Sequence, residues 1–196
     1  MQFLKEIHDK KIIEINKKIY DLYFDIQKET LIINDKNNDT IRKTTRGYSV
    51  DINYVIDKPK YQIINQLTQI YPYSKAEDKR LRFMEIEPWN YIIEPPSWPI
   101  HKDKSLGVMQ KKALVMPIIN CNQQTKTRWY ETEDEKVNEL SHVYLLDKTC
   151  KIKCIFETVL YDFQPYEVLT DVWHDIQNST NQMRVACGWY YESIQD

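Results

Sequence analysis

Three residues of the chain have side-chain types that together could bind a metal ion: His101, Asp103 and His174. His101 and Asp103 are two positions apart, which on a β-strand puts both side chains on the same face. His174 must then come from another strand. Two imidazole nitrogens and one carboxylate oxygen on one face of an octahedron are typical of ferrous iron sites, which leave the other metal positions open. His142 is a rival for the second imidazole. It ranks lower because no arginine follows it at a distance similar to the ten residues that separate His174 from Arg184.

An arginine, Arg184, follows His174 in a short apolar segment, residues 183–190, that has the composition of a strand. Burying an unpaired guanidinium is costly, so this position calls for an anion, and a carboxylate matches the planar fork of arginine. Strand alternation places Arg184 on one face with Ala186, Gly188 and Tyr190. The small side chains among these would leave room for a ligand beside the guanidinium.

His101, Asp103, His174 and Arg184, in this order, resemble the iron(II)- and 2-oxoglutarate-dependent dioxygenases of the small viral or bacterial type. The proline-rich residues 94–101 are similar to the lead-in to the first histidine in that family. The resemblance implies a double-stranded β-helix, or jelly roll, and an enzyme that hydroxylates its substrate. It also implies that 2-oxoglutarate chelates Fe(II) while Arg184 binds the far carboxylate, with ascorbate as a supporting reductant.

The resemblance also assigns residues to the 2-oxoglutarate pocket. Many relatives carry Ser or Thr two positions after the arginine, where this chain has an alanine. Another hydroxyl would have to substitute, and the candidates are Tyr130, Tyr91 and Tyr190. Asn120 and Trp129 fall where family members often line the pocket, although a tryptophan in such a position is more often part of the core.

The rest of the chain predicts the elements that position these residues. Residues 3–28 repeat apolar side chains with helical spacing and contain neither Gly nor Pro, which predicts a long helix against the outside of a sheet. A coiled-coil homodimer through the same stripe is the alternative. A second helix is expected after Pro59, and short apolar runs separated by polar turns begin at Leu81. We therefore predict one mainly β domain over residues 1–196, with a largely helical segment at 1–75 and a jelly roll at 80–192.

Composition and charge narrow the classes of partner. The formal net charge is −2 and the sequence pI is about 6.1, so no overall field draws the chain to nucleic acid or to an anionic membrane. A local basic cluster flanks His101 and Asp103, the first metal motif, and comprises Lys102, Lys104, Lys111 and Lys112. This cluster could still steer an anionic substrate, although a solvated loop is the simpler interpretation. The sequence shows neither a leader peptide nor an apolar run of membrane-spanning length, and its four Cys do not suggest a disulfide framework. These features predict a soluble, cytoplasmic protein.

The sequence thus favours a dioxygenase that hydroxylates an amino-acid, peptide or protein side chain. Two alternatives remain open. A nucleobase-oxidising dioxygenase is the less favoured enzyme, because such enzymes usually have an electropositive groove. The other alternative is a non-catalytic jelly roll, for example a virion-associated structural or binding protein.

Overall fold

The computed structural model describes residues 2–32, 41–44, 47–51, 59–72, 80–88, 100–105, 108–109, 111–140 and 143–191. The helices are α1 (Lys10–Ile32) and α2 (Gln62–Ile70), the second preceded by a 3-10 turn at Pro59–Tyr61. The strands are β1 (Leu4–Glu6), β2 (Ile41–Thr44), β3 (Gly47–Asp51), β4 (Arg80–Ile86), β5 (His101–Ser105), β6 (Val108–Met109), β7 (Lys112–Ile119), β8 (Thr125–Thr132), β9 (Val137–Glu139), β10 (Val143–Leu146), β11 (Ile152–Val159), β12 (Tyr166–Leu169), β13 (His174–Asn178) and β14 (Arg184–Tyr190).

These strands form two packed antiparallel sheets. The first sheet has the order β1-β12-β7-β14-β4-β3-β2, and the second has the order β11-β8-β13-β5-β10-β9, with β6 added beside β5. Some consecutive strands therefore cross from one sheet to the other, as in β12 to β13 and β13 to β14. This arrangement is the jelly roll with flanking helices that the sequence predicted.

Helix α1 covers the outer face of the first sheet. Its apolar stripe is buried against side chains of the central strands, among them Leu114, Val185 and Trp189. The stripe consists of Ile12, Ile15, Ile19, Leu22 and Ile26, all at most 4% exposed. A homodimer through this helix stays a prediction, and it would have to use the other side of α1.

The start of α1 differs from the prediction of a helix over residues 3–28. The helix begins at Lys10, after Asp9, whose carboxylate accepts the Lys11 N–H at 2.7 Å and so caps the first turn. Leu4–Glu6 instead form an edge strand antiparallel to β12. Helix α2 confirms the second helix, with Ile63, Ile64 and Leu67 buried.

A second core lies between the two sheets, where Trp129 packs with Val115, Tyr166, Val168 and Ala186. The neighbours of Ala186 on β14 pack instead against α1. Alternate residues of β14 therefore face opposite sides, as predicted, and Arg184 shares the inner face with Ala186.

Pro117 lies in a central strand, where proline needs an irregularity because it cannot donate a ladder hydrogen bond. The pairing of β7 with β14 shifts there, from Val185 opposite Ile119 to Ala186 opposite Pro117. The sequence prediction that Pro117 falls at an edge, a bulge or a strand end is confirmed.

Some predicted features lie outside the described residues: Tyr91, His142 and most of the proline-rich lead-in at 94–101. No helix in the described ranges combines the length and the apolar character needed to cross a lipid bilayer.

Candidate metal centre

The three predicted ligands come together on two neighbouring strands of the second sheet. His101 begins β5, His174 begins β13, and the two residues lie directly opposite each other in the strand register. Their rings are 4.3 Å apart between centroids. Asp103 completes the cluster, and one ligand atom from each of the three residues lies within 4.8 Å of the others.

The distances within the cluster suit an octahedral metal. His101 Nε2 lies 3.4 Å from Asp103 Oδ1, and His174 Nε2 lies 3.9 Å from Asp103 Oδ2. Donors about 2.1 Å from an octahedral ion are about 3 Å apart on adjacent corners, so small side-chain movements would close the site. His101 and His174 are only 4% and 5% exposed, so neither is a surface histidine. Two buried imidazoles that face one carboxylate are best explained as metal ligands.

Backbone contacts fix the strand ends that carry the ligands. The Asp103 N–H donates to Thr170 O at 2.9 Å, and the Thr170 N–H donates to Lys111 O at 3.0 Å. Thr170 therefore joins the two sheets beside the cluster. His174 Nδ1 lies 2.8 Å from Val172 O, which makes this nitrogen the donor and leaves Nε2 free to bind a metal.

The surroundings hold the ligands in their metal-binding protonation states. Burial favours protonation of Asp103, but the hydrogen bond from His101 and the positive charges that His174 and His101 carry when protonated outweigh it and lower the Asp103 pKa to about 2. Burial lowers the pKa of His174 to about 4, and the neighbouring His101 adds to this effect. At neutral pH the site thus presents a carboxylate and a neutral imidazole, the forms that ligate metals.

Arg184 is 1% exposed, and its Nε and Nη1 have no hydrogen-bond partner within the described part of the chain. Burial raises the pKa of the Cys121 thiol to about 11, and the nearby Arg184 guanidinium acts in the opposite direction. A buried guanidinium with two nitrogens unsatisfied is unfavourable by itself, so this position fits an anionic ligand. The carboxylate of a bound small molecule would be such an anion.

A second unsatisfied polar atom on the inner face is Thr127 Oγ1, in a residue only 3% exposed. Thr127 is opposite Ile176 in the strand register, and the next inward residue of β8, Trp129, is opposite His174. The hydroxyl therefore lies one inward position from the metal cluster, toward the strand ends where Arg184 begins β14. Sequence reasoning missed Thr127, although the alternation of Thr127 and Trp129 with Lys126 and Arg128 was a usable signal.

The predicted pocket residues Trp129, Asn120 and Tyr130 lie at different places relative to the metal cluster. Trp129 is fully buried on the inner face, where its indole N–H donates to Leu169 O at 3.1 Å. Asn120 Nδ2 donates to Met183 O at 2.8 Å, directly before Arg184. Tyr130 is not brought to the cluster, because it lies on the opposite face of the sheet.

On that outer face, the Tyr130 hydroxyl donates to Asp175 Oδ2 at 3.1 Å. Arg128 binds the same carboxylate through two hydrogen bonds, at 2.9 and 2.6 Å. These contacts make Tyr130 part of a polar network that stabilises the sheet.

The small residues of β14 do not both leave open space. Ala186 packs in the inner core, and a Cβ added to Gly188 would lie 3.3 Å from Met84 Cε. The Met84 side chain therefore occupies the room beside Gly188.

Fold and site together define a jelly-roll protein with a buried His-Asp-His cluster that could hold a metal ion. No protein-family model and no curated protein sequence matches the chain. Similar solved structures include "Crystal Structure of AviO1 from Streptomyces viridochromogenes Tue57", at 11% identity and a TM-score of 0.47, covering 99% of this chain and 91% of that one. Another is "X-Ray structure of E. coli ycfD", at 12% identity and a TM-score of 0.41, covering 82% of this chain. This chain spans 38% of the ycfD chain.

Proposed function

We propose that the protein is an Fe(II)- and 2-oxoglutarate-dependent dioxygenase. The observation that carries the proposal is the combination of the His101–Asp103–His174 cluster with a buried, incompletely satisfied arginine facing the space between the same two sheets. A structural metal site would account for the cluster alone. The buried arginine requires an anionic partner as well, and an anionic cosubstrate that chelates the metal would account for both the cluster and the arginine.

Each residue has a defined role in this proposal. His101, Asp103 and His174 hold the iron by one face, which leaves positions for 2-oxoglutarate and oxygen. When bound, the iron would supply the oxidising chemistry that couples decarboxylation of 2-oxoglutarate to hydroxylation of a substrate. Arg184 binds the far carboxylate of the cosubstrate, and Thr127 donates a hydrogen bond in place of the hydroxyl that Ala186 lacks.

An amino-acid, peptide or protein side chain is the proposed substrate class. Three of the four lysines around the first metal motif are paired with carboxylates. The pairs are Lys102 with Glu135 at 3.1 Å, Lys104 with Glu139 at 2.5 Å and Lys112 with Glu167 at 2.9 Å. Because these pairs neutralise most of the local positive charge, they disfavour a nucleic-acid substrate and hence nucleobase oxidation.

The four cysteines are all free, which supports a cytoplasmic location.

A non-catalytic jelly roll is the second candidate. The fully buried Ala186, at the position where a hydroxyl would help to bind 2-oxoglutarate, favours it. In that case the cluster would bind a metal, or no ion, without responding to 2-oxoglutarate.

The deciding experiment is an anaerobic titration of the Fe(II)-loaded protein with 2-oxoglutarate, followed by visible absorption. A metal-to-ligand charge-transfer band should appear in the wild type and be absent from His174→Ala. The matched control is His8→Ala, because the His8 side chain is 77% exposed and far from any proposed role. Iron binding without the band in the wild type would favour the non-catalytic candidate.

The metal ligands are tested separately by calorimetric titration with Fe(II) under anaerobic conditions. Asp103→Ala should weaken binding by at least about tenfold, since it removes the one carboxylate among the three proposed ligands. Asp134→Ala, at an exposed position, should bind as the wild type does. Unchanged affinity in Asp103→Ala would show that the metal does not bind at this cluster.

A further inference from the structure

The two strands that carry the metal ligands share a single residue pair in the described part of the sheet. His174 of β13 lies opposite His101 of β5. The other residues of β13 pair with β8, and the other residues of β5 pair with β10 or β6. The separation of the two histidines therefore depends on little direct backbone pairing, and side-chain contacts between their strands become important.

Such contacts exist on the outer face of the sheet, behind the metal cluster. Lys102 lies between the two ligands of β5, and Trp173 directly precedes His174. Trp173 packs with Tyr130 and Leu146 on this outer face. The Lys102 ammonium lies over the indole ring of Trp173, 4.5 Å from the ring centroid. Outward side chains that adjoin the ligands therefore meet across the two strands.

The carboxylate of Glu135 joins these two side chains. Its Oε1 atom accepts one hydrogen bond from Trp173 Nε1 at 2.7 Å and another from Lys102 Nζ at 3.1 Å. Trp173 is buried, so the first bond supplies the partner that a buried indole N–H needs. One oxygen atom therefore holds one neighbour of each histidine ligand.

The segment that carries Glu135 is itself anchored to the same sheet. The Lys136 N–H donates to Cys150 Sγ at 3.4 Å, and the Lys136 carbonyl accepts the Asp147 N–H at 2.9 Å. Asp147 directly follows β10, which pairs with β5. The Glu135 side chain is 51% exposed, and ion pairs at such positions add little to global stability. Its contacts are therefore better suited to positioning than to stabilising the fold.

We infer that Glu135 is a positioning residue of the metal centre: it holds Lys102 and Trp173 together and so sets the separation of the two histidine ligands. This inference rests on the metal site of the proposed function. Metal affinity depends on ligands that are held close to the binding geometry. Partners bonded directly to metal ligands contribute about 10- to 100-fold to affinity, and Glu135 acts through neighbouring residues, so we expect a smaller effect of about three- to tenfold.

The test is Glu135→Ala, which removes the shared acceptor. Lys102→Met is a second variant, which removes the ammonium and keeps an unbranched side chain over Trp173. Glu135→Gln retains an oxygen that can accept both hydrogen bonds and serves as the rescue variant. The matched control is Glu157→Ala, because Glu157 accepts from Lys126 Nζ at 2.5 Å in the same sheet but between β8 and β11, which carry no proposed ligand.

Each protein is titrated with Co(II), a spectroscopic substitute for Fe(II), and both the dissociation constant and the visible ligand-field spectrum are measured. The spectrum reports the arrangement of the ligands, which a loss of global stability alone would not change. Thermal unfolding of the metal-free proteins checks that each variant is folded.

We expect Glu135→Ala to bind Co(II) about three- to tenfold more weakly than the wild type, with an altered visible spectrum because the two imidazoles shift relative to each other. Lys102→Met should alter the spectrum as well, whereas Glu135→Gln and Glu157→Ala should match the wild type in both measurements.

Wild-type affinity and spectrum in Glu135→Ala or, if that variant does not fold, in Lys102→Met would overturn the positioning role while leaving the proposed function standing. An equal loss in Glu157→Ala would overturn it too, because the effect would not be specific to the ligand-bearing strands. Failure of the wild type to bind Co(II) would overturn the proposed function and this inference together.

Discussion

Replacing Arg184 with methionine should weaken 2-oxoglutarate binding and at the same time leave the ligand-free protein as stable as before, or more so. Met has a similar length and no charge, so the substitution removes the guanidinium without opening a large cavity. Arg184 is 1% exposed with Nε and Nη1 unsatisfied, so the folded protein bears a desolvation cost that the variant does not.

Both effects can be given a size. Truncating one partner of a buried charged pair costs about 2–5 kcal/mol of binding free energy, and about 3 kcal/mol corresponds to roughly 150-fold weaker binding of 2-oxoglutarate. Replacing buried charged groups by apolar ones of similar volume is often neutral or stabilising by about 1–4 kcal/mol. A gain of about 1 kcal/mol would raise the Tm of a chain of this length by about 3 °C.

Anaerobic titration of the Fe(II)-loaded variant with 2-oxoglutarate measures the first effect, and chemical unfolding of the metal-free variant measures the second. Arg80→Met is the matched control, because Arg80 lies in the same sheet and pairs with Asp51 at 3.8 Å near the surface. It should bind 2-oxoglutarate normally. The reasoning is refuted if Arg184→Met binds 2-oxoglutarate like the wild type, or if it loses more than about 2 kcal/mol of stability, which would reveal a structural partner for Arg184.

Three further predictions concern single side chains. Thr127→Val should weaken 2-oxoglutarate binding about two- to tenfold in the same titration, since one hydrogen bond is lost, and should not lower the Tm; unaltered binding would remove Thr127 from the site. Glu167 is subject to burial, which raises its pKa, but the hydrogen bonds from Tyr191 and Lys112 prevail and lower it. The contribution of Glu167 to stability is therefore present above the unfolded-state pKa of about 4.3 and is lost as the pH falls through the lower folded value. The Tm difference between wild type and Glu167→Gln should accordingly shrink on acidification below about pH 4.5. A constant difference would contradict this. Gly47→Ala should cost at least about 2 kcal/mol by chemical unfolding, because Gly47 has φ +123° and a Cβ there would lie 2.0 Å from Phe83 O; an unchanged midpoint would exclude this backbone conformation.

The sequence was most informative where a pattern was local or a side chain was chemically unusual. The stripe of α1 reflects helical spacing, and the alternation along β14 follows from strand geometry, so both could be predicted from neighbouring residues. The metal cluster could be predicted because only a few residues of the chain have imidazole side chains, and His101 and Asp103 had the right spacing.

What the sequence could not supply was pairing between distant segments. Leu4–Glu6 form a strand because Tyr166–Val168 offer an edge, and the local pattern there continued the helical spacing of α1. The position of Tyr130 depended on which face of β8 meets the metal strand, a fact decided by the pairing of Trp129 with His174. Both faces of that strand carry buried residues, so hydrophobicity did not distinguish them.

The alternation of His174 and Asp175 makes the site sensitive to a particular kind of mutation. His174 faces the metal cluster, while the next residue, Asp175, binds Arg128 on the outer face. Deleting a single codon at this point of the gene would turn aspartate inward and histidine outward, which would disrupt the cluster and the ion pair in one event. Inserting two codons before His174 would keep the facing of the side chains but would displace His174 by about 7 Å along the strand, away from its partner His101. We therefore expect natural length variation in this protein to be concentrated in the turns and to be absent from the start of β13.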